Sequence, residues 1–391
     1  MEDNILVSRR SLLATGVALS TTLAGCSSNE DSGSTNTPES TSEGTRTPEP
    51  TPENTPEPTP EETATPEEDP TPSLSEFDYP EGASQDGLDG AGIYGTHESS
   101  LTGAGSLTLT TDTIRTFDSF EESVTRVNQF DARNIHVKVE QSDDSPTEYR
   151  WSPSDTDLTY VQMESGFNTD YRIDNQAPET NTVTGLNAFE QYLTATEWGE
   201  ATEVVETADG YGVVYNDTGV SQPGRIAFGG EIDQYEASAT VSESGYVVEL
   251  TYDLTITFDD GETQQEQVTA SLSKVGGTTV EEPEWASTAR EQGVQFDIRL
   301  TDGGNAYEVE MVNGGEVPEG TRISLNSNQN RGSQRLSQAL SVGDTLYIGL
   351  SNSGELLLDT DKVPDGVAEL SGFTALRMRS DFPLFTHEER L

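Results

Sequence analysis

Three groups of residues in this 391-residue chain have types and spacings suited to covalent modification. Cys26 is the single cysteine and closes Leu23-Ala24-Gly25-Cys26. Small residues before a thiol form a lipobox, where a peptidase cuts and the cysteine takes lipid. Arg9 and Arg10 stand in Ser8-Arg9-Arg10-Ser11-Leu12-Leu13, ahead of a short apolar run. That pattern reads as a twin-arginine export signal. The run from Leu12 to Ala24 is shorter than the roughly 20 residues a bilayer-spanning helix needs. An uncleaved N-terminal anchor is the other reading of the stretch. Asn216-Asp217-Thr218 is an N-glycosylation acceptor, expected in an exported loop.

Other spacings resemble catalytic or ligand sites but lack their context. Ser271-x-x-Lys274 has the nucleophile spacing of penicillin-binding proteins, yet it lies in a strand pattern without the partner motifs. Gly90-x-Gly92-x-x-Gly95 matches a dinucleotide fingerprint but follows a proline-rich stretch rather than a strand. Asp359-x-Asp361-x-x-x-Asp365-Gly366 approaches a calcium loop, with Pro364 where that loop needs glycine, and reads as a solvated acidic turn. His97, His136 and His387 are far apart in sequence and form no ligand pair. With one cysteine, neither a disulfide within the chain nor a cysteine-rich zinc site can form. No nucleophile, base and orienting group assemble, so catalysis, a cofactor and a metal are not expected.

Charge describes the solvent. Twenty Lys+Arg against 71 Asp+Glu give a net charge of −51, and the only lysines are Lys138, Lys274 and Lys362. Such a chain repels itself unless salt screens it, and at molar salt the Debye length is about 3 Å. Low lysine, surplus carboxylate and the export signal together resemble proteins of salt-in haloarchaea. The acidity argues against nucleic acid as a partner, because such binding relies on basic groups neutralising phosphates.

The elements that would position these residues follow in order. Residues 1–26 are the signal, and 27–76 are a Thr/Pro/Glu linker too polar to offset its ordering entropy. Gly87 to Leu101 reads as a glycine-rich helix with Leu88, Ile93, Tyr94, His97 and Leu101 on one side. Period-two patterning from Ser106 to about Asn175 predicts antiparallel strands. Gly185 to Thr194 is helical, with Leu186, Phe189, Tyr192 and Leu193 at helical spacing. A second β block follows, in which Tyr246–Phe258 turns at Asp259-Asp260-Gly261 into Thr263–Lys274. After a boundary near Gln292, short strands over residues 291–391 predict a small immunoglobulin-like β-sandwich.

Tyr79-Pro80-x-Gly82, Asp86-Gly87-Leu88, His97, the three-strand meander and Gly277-Thr278-Thr279-Val280-x-x-Pro283-x-Trp285 give the chain a family resemblance. Residues 77–290 resemble an uncharacterised haloarchaeal lipoprotein family, itself similar to the half-barrel lipoprotein carriers and mycobacterial lipid-binding lipoproteins. The resemblance implies a mainly β (α+β) fold, in which a curved antiparallel half-barrel cups one or two helices. It also implies a lipoprotein held on the extracellular face of the membrane by lipid on Cys26. Its cup would bind an apolar ligand, a lipid or lipidated partner. The alternative is a non-catalytic envelope interaction module with a filled core. The Leu186–Leu193 helix should pack across the apolar face of the second block. Any groove left there should have apolar walls and an acidic rim, and so prefer neutral or weakly polar lipids.

Cys26→Ser should abolish lipid attachment and move the mature protein from membrane to medium, or leave it uncleaved. Fractionation of the variant with membranes, processed like wild type, would refute the anchor. Lysine at both Arg9 and Arg10 should hold the precursor in the cytoplasm.

Overall fold

The computed structural model describes residues 71–391 apart from 118, 133, 142–144 and 329. Cys26, Arg9 and Arg10, with most of the linker, lie outside these residues. Thr71–Leu391 forms one unit, which is mainly β.

A two-residue ladder, β1 (Ala83–Ser84) with β2 (Gly87–Leu88), leads into α1 (Gly90–Ala104). Six strands follow: β3 (Ser106–Phe117), β4 (Phe120–Asp131), β5 (Asn134–Gln141), β6 (Thr147–Pro153), β7 (Thr159–Ser165) and β8 (Asn168–Asp174). The chain then passes through α2 (Thr180–Val183) and α3 (Leu186–Ala195) into β9 (Thr196–Thr207) and β10 (Gly210–Val220). After α4 (Pro223–Ile226) come β11 (Glu231–Ser242), β12 (Val247–Thr257) and β13 (Thr263–Ser273). All eleven form one open antiparallel sheet in the order β8-β7-β6-β5-β4-β3-β13-β12-β11-β10-β9. Two meanders therefore meet at the central β3–β13 pair.

The β12–β13 hairpin forms where its alternation and acidic turn place it, with Gly261 at φ 84° in the turn. Its even-numbered positions Leu250, Tyr252, Leu254 and Ile256 are buried, while Glu249 on the other face is exposed. Helix α3 lies across that buried face, called the inner face below. Leu186, Phe189, Tyr192 and Leu193 are buried there, and the Tyr192 ring stacks on Tyr252 at a centroid distance of 3.8 Å.

Helix α1 starts at Asp89, whose side chain accepts the Ala91 N–H at 3.2 Å, and ends at Gly105 in the left-handed conformation. Its glycines serve packing. A Cβ at Gly90 would overlap the Leu193 carbonyl of α3, and one at Gly92 would lie 3.1 Å from Gly82 Cα. The glycine spacing thus reports close approach between backbones. Ile93, His97 and Leu101 face inward, and His97 Nδ1 accepts the Val247 N–H at 3.0 Å beside the Phe189 ring.

Thr278 to Trp285 crosses the opposite, outer face from β3 and β4 toward β6–β8. Val280 N–H donates to Asp131 at 2.8 Å, and Thr278 pairs with Thr108 at 3.0 Å. Helix α5 (Ala286–Gln292) then packs with Trp151, Tyr160 and Ile173.

The remaining strands are β14 (Gln295–Leu300), β15 (Ala306–Asn313), β16 (Arg322–Ser327), β17 (Asn330–Arg335), β18 (Thr345–Leu350), β19 (Leu356–Asp359), β20 (Phe373–Arg379) and β21 (Pro383–Arg390). They form two four-stranded sheets, β14-β15-β18-β19 and β17-β16-β20-β21. Phe296, Tyr307, Leu325, Ile348, Leu376 and Phe385 are among the residues of one core that both sheets share. The first sheet departs from the A-B-E-D order of an immunoglobulin domain. The tight Ser351–Glu355 turn, closed by Ser351 N–H to Glu355 O at 2.8 Å, folds β19 onto β18 and leaves β19 at the edge. Strand β17 (Asn-Arg-Gly-Ser-Gln-Arg) carries no apolar side chain to alternate and β21 is polar after Phe385, whereas Leu376-Arg377-Met378-Arg379 in β20 does alternate and is a strand signal that sequence reasoning missed.

Two outcomes follow for the α1–α3 core. Phe189→Ala should cost about 3–5 kcal/mol, read from denaturant unfolding. Burial lowers the His97 pKa to about 3 from 6.5. Only the unfolded chain then takes up its proton as pH falls below 6.5. Stability should therefore fall from pH 6.5 toward 3, about 2 kcal/mol lower at pH 5 than at pH 7.5. In His97→Asn, whose Oδ1 can accept from Val247, this increment should vanish from the difference between the two pH values.

Candidate functional site: the inner face of the large sheet

Residues directly opposite in an antiparallel ladder share a face, so the register alone maps the inner face. One row runs Leu109–Asn128–Val137–Arg150–Val161–Arg172. The next runs Leu250–Ala270–Thr111–Arg126–Val139–Glu148–Met163–Asp170. A third joins Tyr252, Val268, Thr113 and Val124, and a fourth joins Leu254, Glu266, Arg115 and Glu122.

These rows divide the face. On the β12 side the positions are apolar and lie under α3. From β3 to β8 they carry Arg115, Arg126, Arg150 and Arg172. The expectation of purely apolar walls is therefore corrected. The alternation within each strand marked these residues as polar, but only the long-range register brings them onto the helix-bearing face.

Three of the four arginines are paired. Arg115 Nε donates to Glu266 at 2.6 Å, and Tyr252 Oη donates to the same carboxylate at 2.7 Å. Arg115 also lies 3.5 Å from Glu122. Glu148 is held by Arg150 and, at 3.1 Å, by Arg172, which also donates to Asp174 at 3.0 Å. Burial would raise the Glu148 carboxyl, but Arg150 and Arg172 outweigh it and hold the pKa down at about 2. Phe382 packs on Val161 and Met163 at this end, and Arg172 donates to the Pro383 carbonyl at 3.3 Å. Arg126 differs. Among the described residues it has no hydrogen-bond or ion-pair partner, and burial followed by the nearby Arg150 charge lowers its pKa to about 10.

The residues singled out in sequence fall elsewhere. Asn216 is exposed on β10 and opposes Ser238, so it sits on a strand, not in a loop. It lines an outer-face cleft of about 610 Å³ with Asp112, Asp217, Glu236 and Asp253. Ser271, on β13, donates to Glu249 at 3.2 Å, and Lys274 follows the strand, exposed. Asp359 accepts the Asp361 N–H at 2.9 Å in a turn where Lys362 meets Asp365 at 3.1 Å. His136 lies on β5 opposite Trp151, and His387 on β21 meets the Tyr307 ring edge-on at 5.4 Å. Among the described residues, no group of three or more His, Cys, Asp or Glu is arranged to hold a metal ion, and no helix is long and apolar enough to cross a membrane.

No curated protein matches the chain. Among solved structures, the Pseudomonas aeruginosa MucA/MucB complex aligns over 75% of this chain and 90% of that one, at 9% identity and TM-score 0.24. A DUF1329 family protein from Desulfovibrio piger aligns over 49% and 94%, at 5% identity and TM-score 0.20. A Vibrio parahaemolyticus domain, described as an outer membrane lipoprotein-sorting protein domain, aligns over 49% and 93%, at 10% identity and TM-score 0.15. Superpositions this loose carry no argument about fold or function. The sequence-family match is of another kind: it spans residues 11–289, taking in every strand of the large sheet. The chain belongs to that family, the family of unknown function DUF7537.

Proposed function

We propose that this protein is a lipid-anchored, salt-adapted envelope module that binds an amphiphilic ligand, a lipid or lipidated partner, on the inner face of its large sheet. In this reading the sheet is a half-barrel curled around α1–α3, the C-terminal sheets form a β-sandwich, and the chain is a haloarchaeal lipoprotein. Lipid on Cys26 and the twin-arginine signal would place it on the extracellular face of the cell membrane. The ligand is held and not converted.

The observation that carries the reading is the division of the inner face. Helix α3 covers the β12 side, and Phe382 reaches the face at β7. Between them Thr111, Thr113, Val124 and Arg126 are only half-buried. That strip combines aliphatic surface with a cation. A bound chain of about ten methylenes would contribute several kcal/mol at about 0.8 each, without a catalytic group.

The closure under α3 favours a second reading for the other half. Phe189 is 1% exposed and Leu193 is fully buried, so the β12 side is filled core. If the whole face is filled, the module acts through its surface on another envelope protein.

Organic extraction of protein purified from its native host, followed by mass spectrometry, should release a non-covalent lipid in near-stoichiometric amount. Protein that yields none, and that takes up no alkyl-chain probe in molar salt, would leave the surface-interaction reading in its place.

A further inference from the structure

We infer that Arg126 is the head-group determinant of the inner face and takes the anionic group, a phosphate or carboxylate, of a single-chain amphiphile. The inference rests on the amphiphile-binding reading above and names the ligand's charge.

The nearest inner-face positions are fixed by register. Thr111 and Val139 lie directly opposite Arg126, Leu109, Thr113, Val137 and Gln141 are diagonal to it, and Val124 and Asn128 flank it along β4. None of these residues carries a charge. The closest carboxylates on the face are already engaged, Glu148 by Arg150 and Arg172, and Glu266 by Arg115 and Tyr252. Arg126 thus stands between two internally paired clusters, where repulsion from Arg150 and Arg115 is only partly offset by the Glu148 carboxylate.

A guanidinium cannot shed its charge at any working pH and presents donors in a planar fork that matches phosphate or carboxylate. Even its partial withdrawal from water, without a carboxylate partner, is costly. An entering anion would relieve that cost, along with the repulsion from Arg150 and Arg115. The Thr111 and Thr113 hydroxyls stand at adjacent positions as further donors, and Val124 offers an apolar contact for the first methylenes. In a chain of net charge −51, an arginine without a carboxylate beside it runs against composition.

The test is calorimetric titration of the full chain in molar NaCl with dodecyl phosphate, dodecanol and inorganic phosphate. Wild type should bind dodecyl phosphate at least tenfold more tightly than dodecanol, and inorganic phosphate at least a hundredfold more weakly than dodecyl phosphate. In Arg126→Gln the dodecyl phosphate affinity should fall to that of dodecanol, with dodecanol binding unchanged. Thr111→Glu, which sets a carboxylate opposite an intact Arg126, should remove the same preference, and it serves as the second variant if Arg126→Gln fails to fold. Equal wild-type affinity for the two dodecyl probes, or a preference that survives in Arg126→Gln, would overturn the head-group assignment while leaving amphiphile binding intact. Inorganic phosphate bound as tightly as dodecyl phosphate would make this a free-ion site and overturn the amphiphile. Binding of neither dodecyl probe by wild type would overturn the reading on which the inference rests.

Discussion

Everything on the inner face depends on one strand pair. β3 and β13 align from Thr108–Ser273 to Phe117–Gln264 without a shift, although the side chains they bring together, such as Arg115 and Glu266, are 151 residues apart. Each meander can form from local hairpins, but neither has an inner face until the other joins it. Closing so long a loop costs entropy before any contact offsets it, so this pair should form late and slowly. Its side chains reflect that burden. Leu109 lies opposite Leu272 at the helix-covered end, and Arg115 meets Glu266 toward the other, so a shift of one residue would turn both pairs to the wrong face.

Charge is distributed in the opposite sense to composition. Acidic residues crowd the exterior, whereas four of the few cations sit on the sheet interior. The Glu148–Arg150–Arg172–Asp174 group explains why they can. Each carboxylate is hydrogen-bonded by arginine, and Arg172 also reaches the Pro383 carbonyl. Removing Glu148 would leave the buried Arg150 without its carboxylate, a loss of about 3–5 kcal/mol in comparable networks. That group ties β6 and β8 to the first residue of β21, and with it the large sheet to the C-terminal sheets. Arginine suits the role because its fork can serve several acceptors at once, which a lysine ammonium does less well.

Local structure was readable and long-range assembly was not. The β12–β13 hairpin, α3 and the β blocks follow from alternation, helical spacing and turn chemistry. Phe189 and Tyr192 were identified as the residues that pack across β12. The family-like residues Gly82, His97 and Val280 hold turns and elements together, since a Cβ on Gly82 would overlap the Ile93 backbone. Arg126 left no trace in sequence, because nothing local distinguishes it from Arg115 or Arg150. What singles it out is an absence of carboxylates at eight neighbouring positions on β3, β4 and β5, and only the register sets that. The strand position of Asn216 escaped for a related reason: its Asn-Asp-Thr-Gly context looks like a turn, while pairing with Ser238 of β11 holds it in the strand, at a register shift against β9.

The open sheet has two edges, and the chain covers both with its own backbone. At β9 the Ala201 N–H donates to the Gln85 carbonyl at 3.0 Å, laying the β1–β2 turn along that edge. At β8 the Ile173 N–H donates to Val294 O at 2.9 Å, and Val294 N–H returns to Tyr171 O at 3.1 Å. Many proteins guard such edges with lysine, relying on repulsion to keep strands of neighbouring molecules from adding on. That guard fails in brine, where a charge is felt over about 3 Å. Backbone pairing does not depend on charge, and by that means the short segments at Gln85 and Val294 occupy part of each edge that a strand from another molecule would otherwise find open.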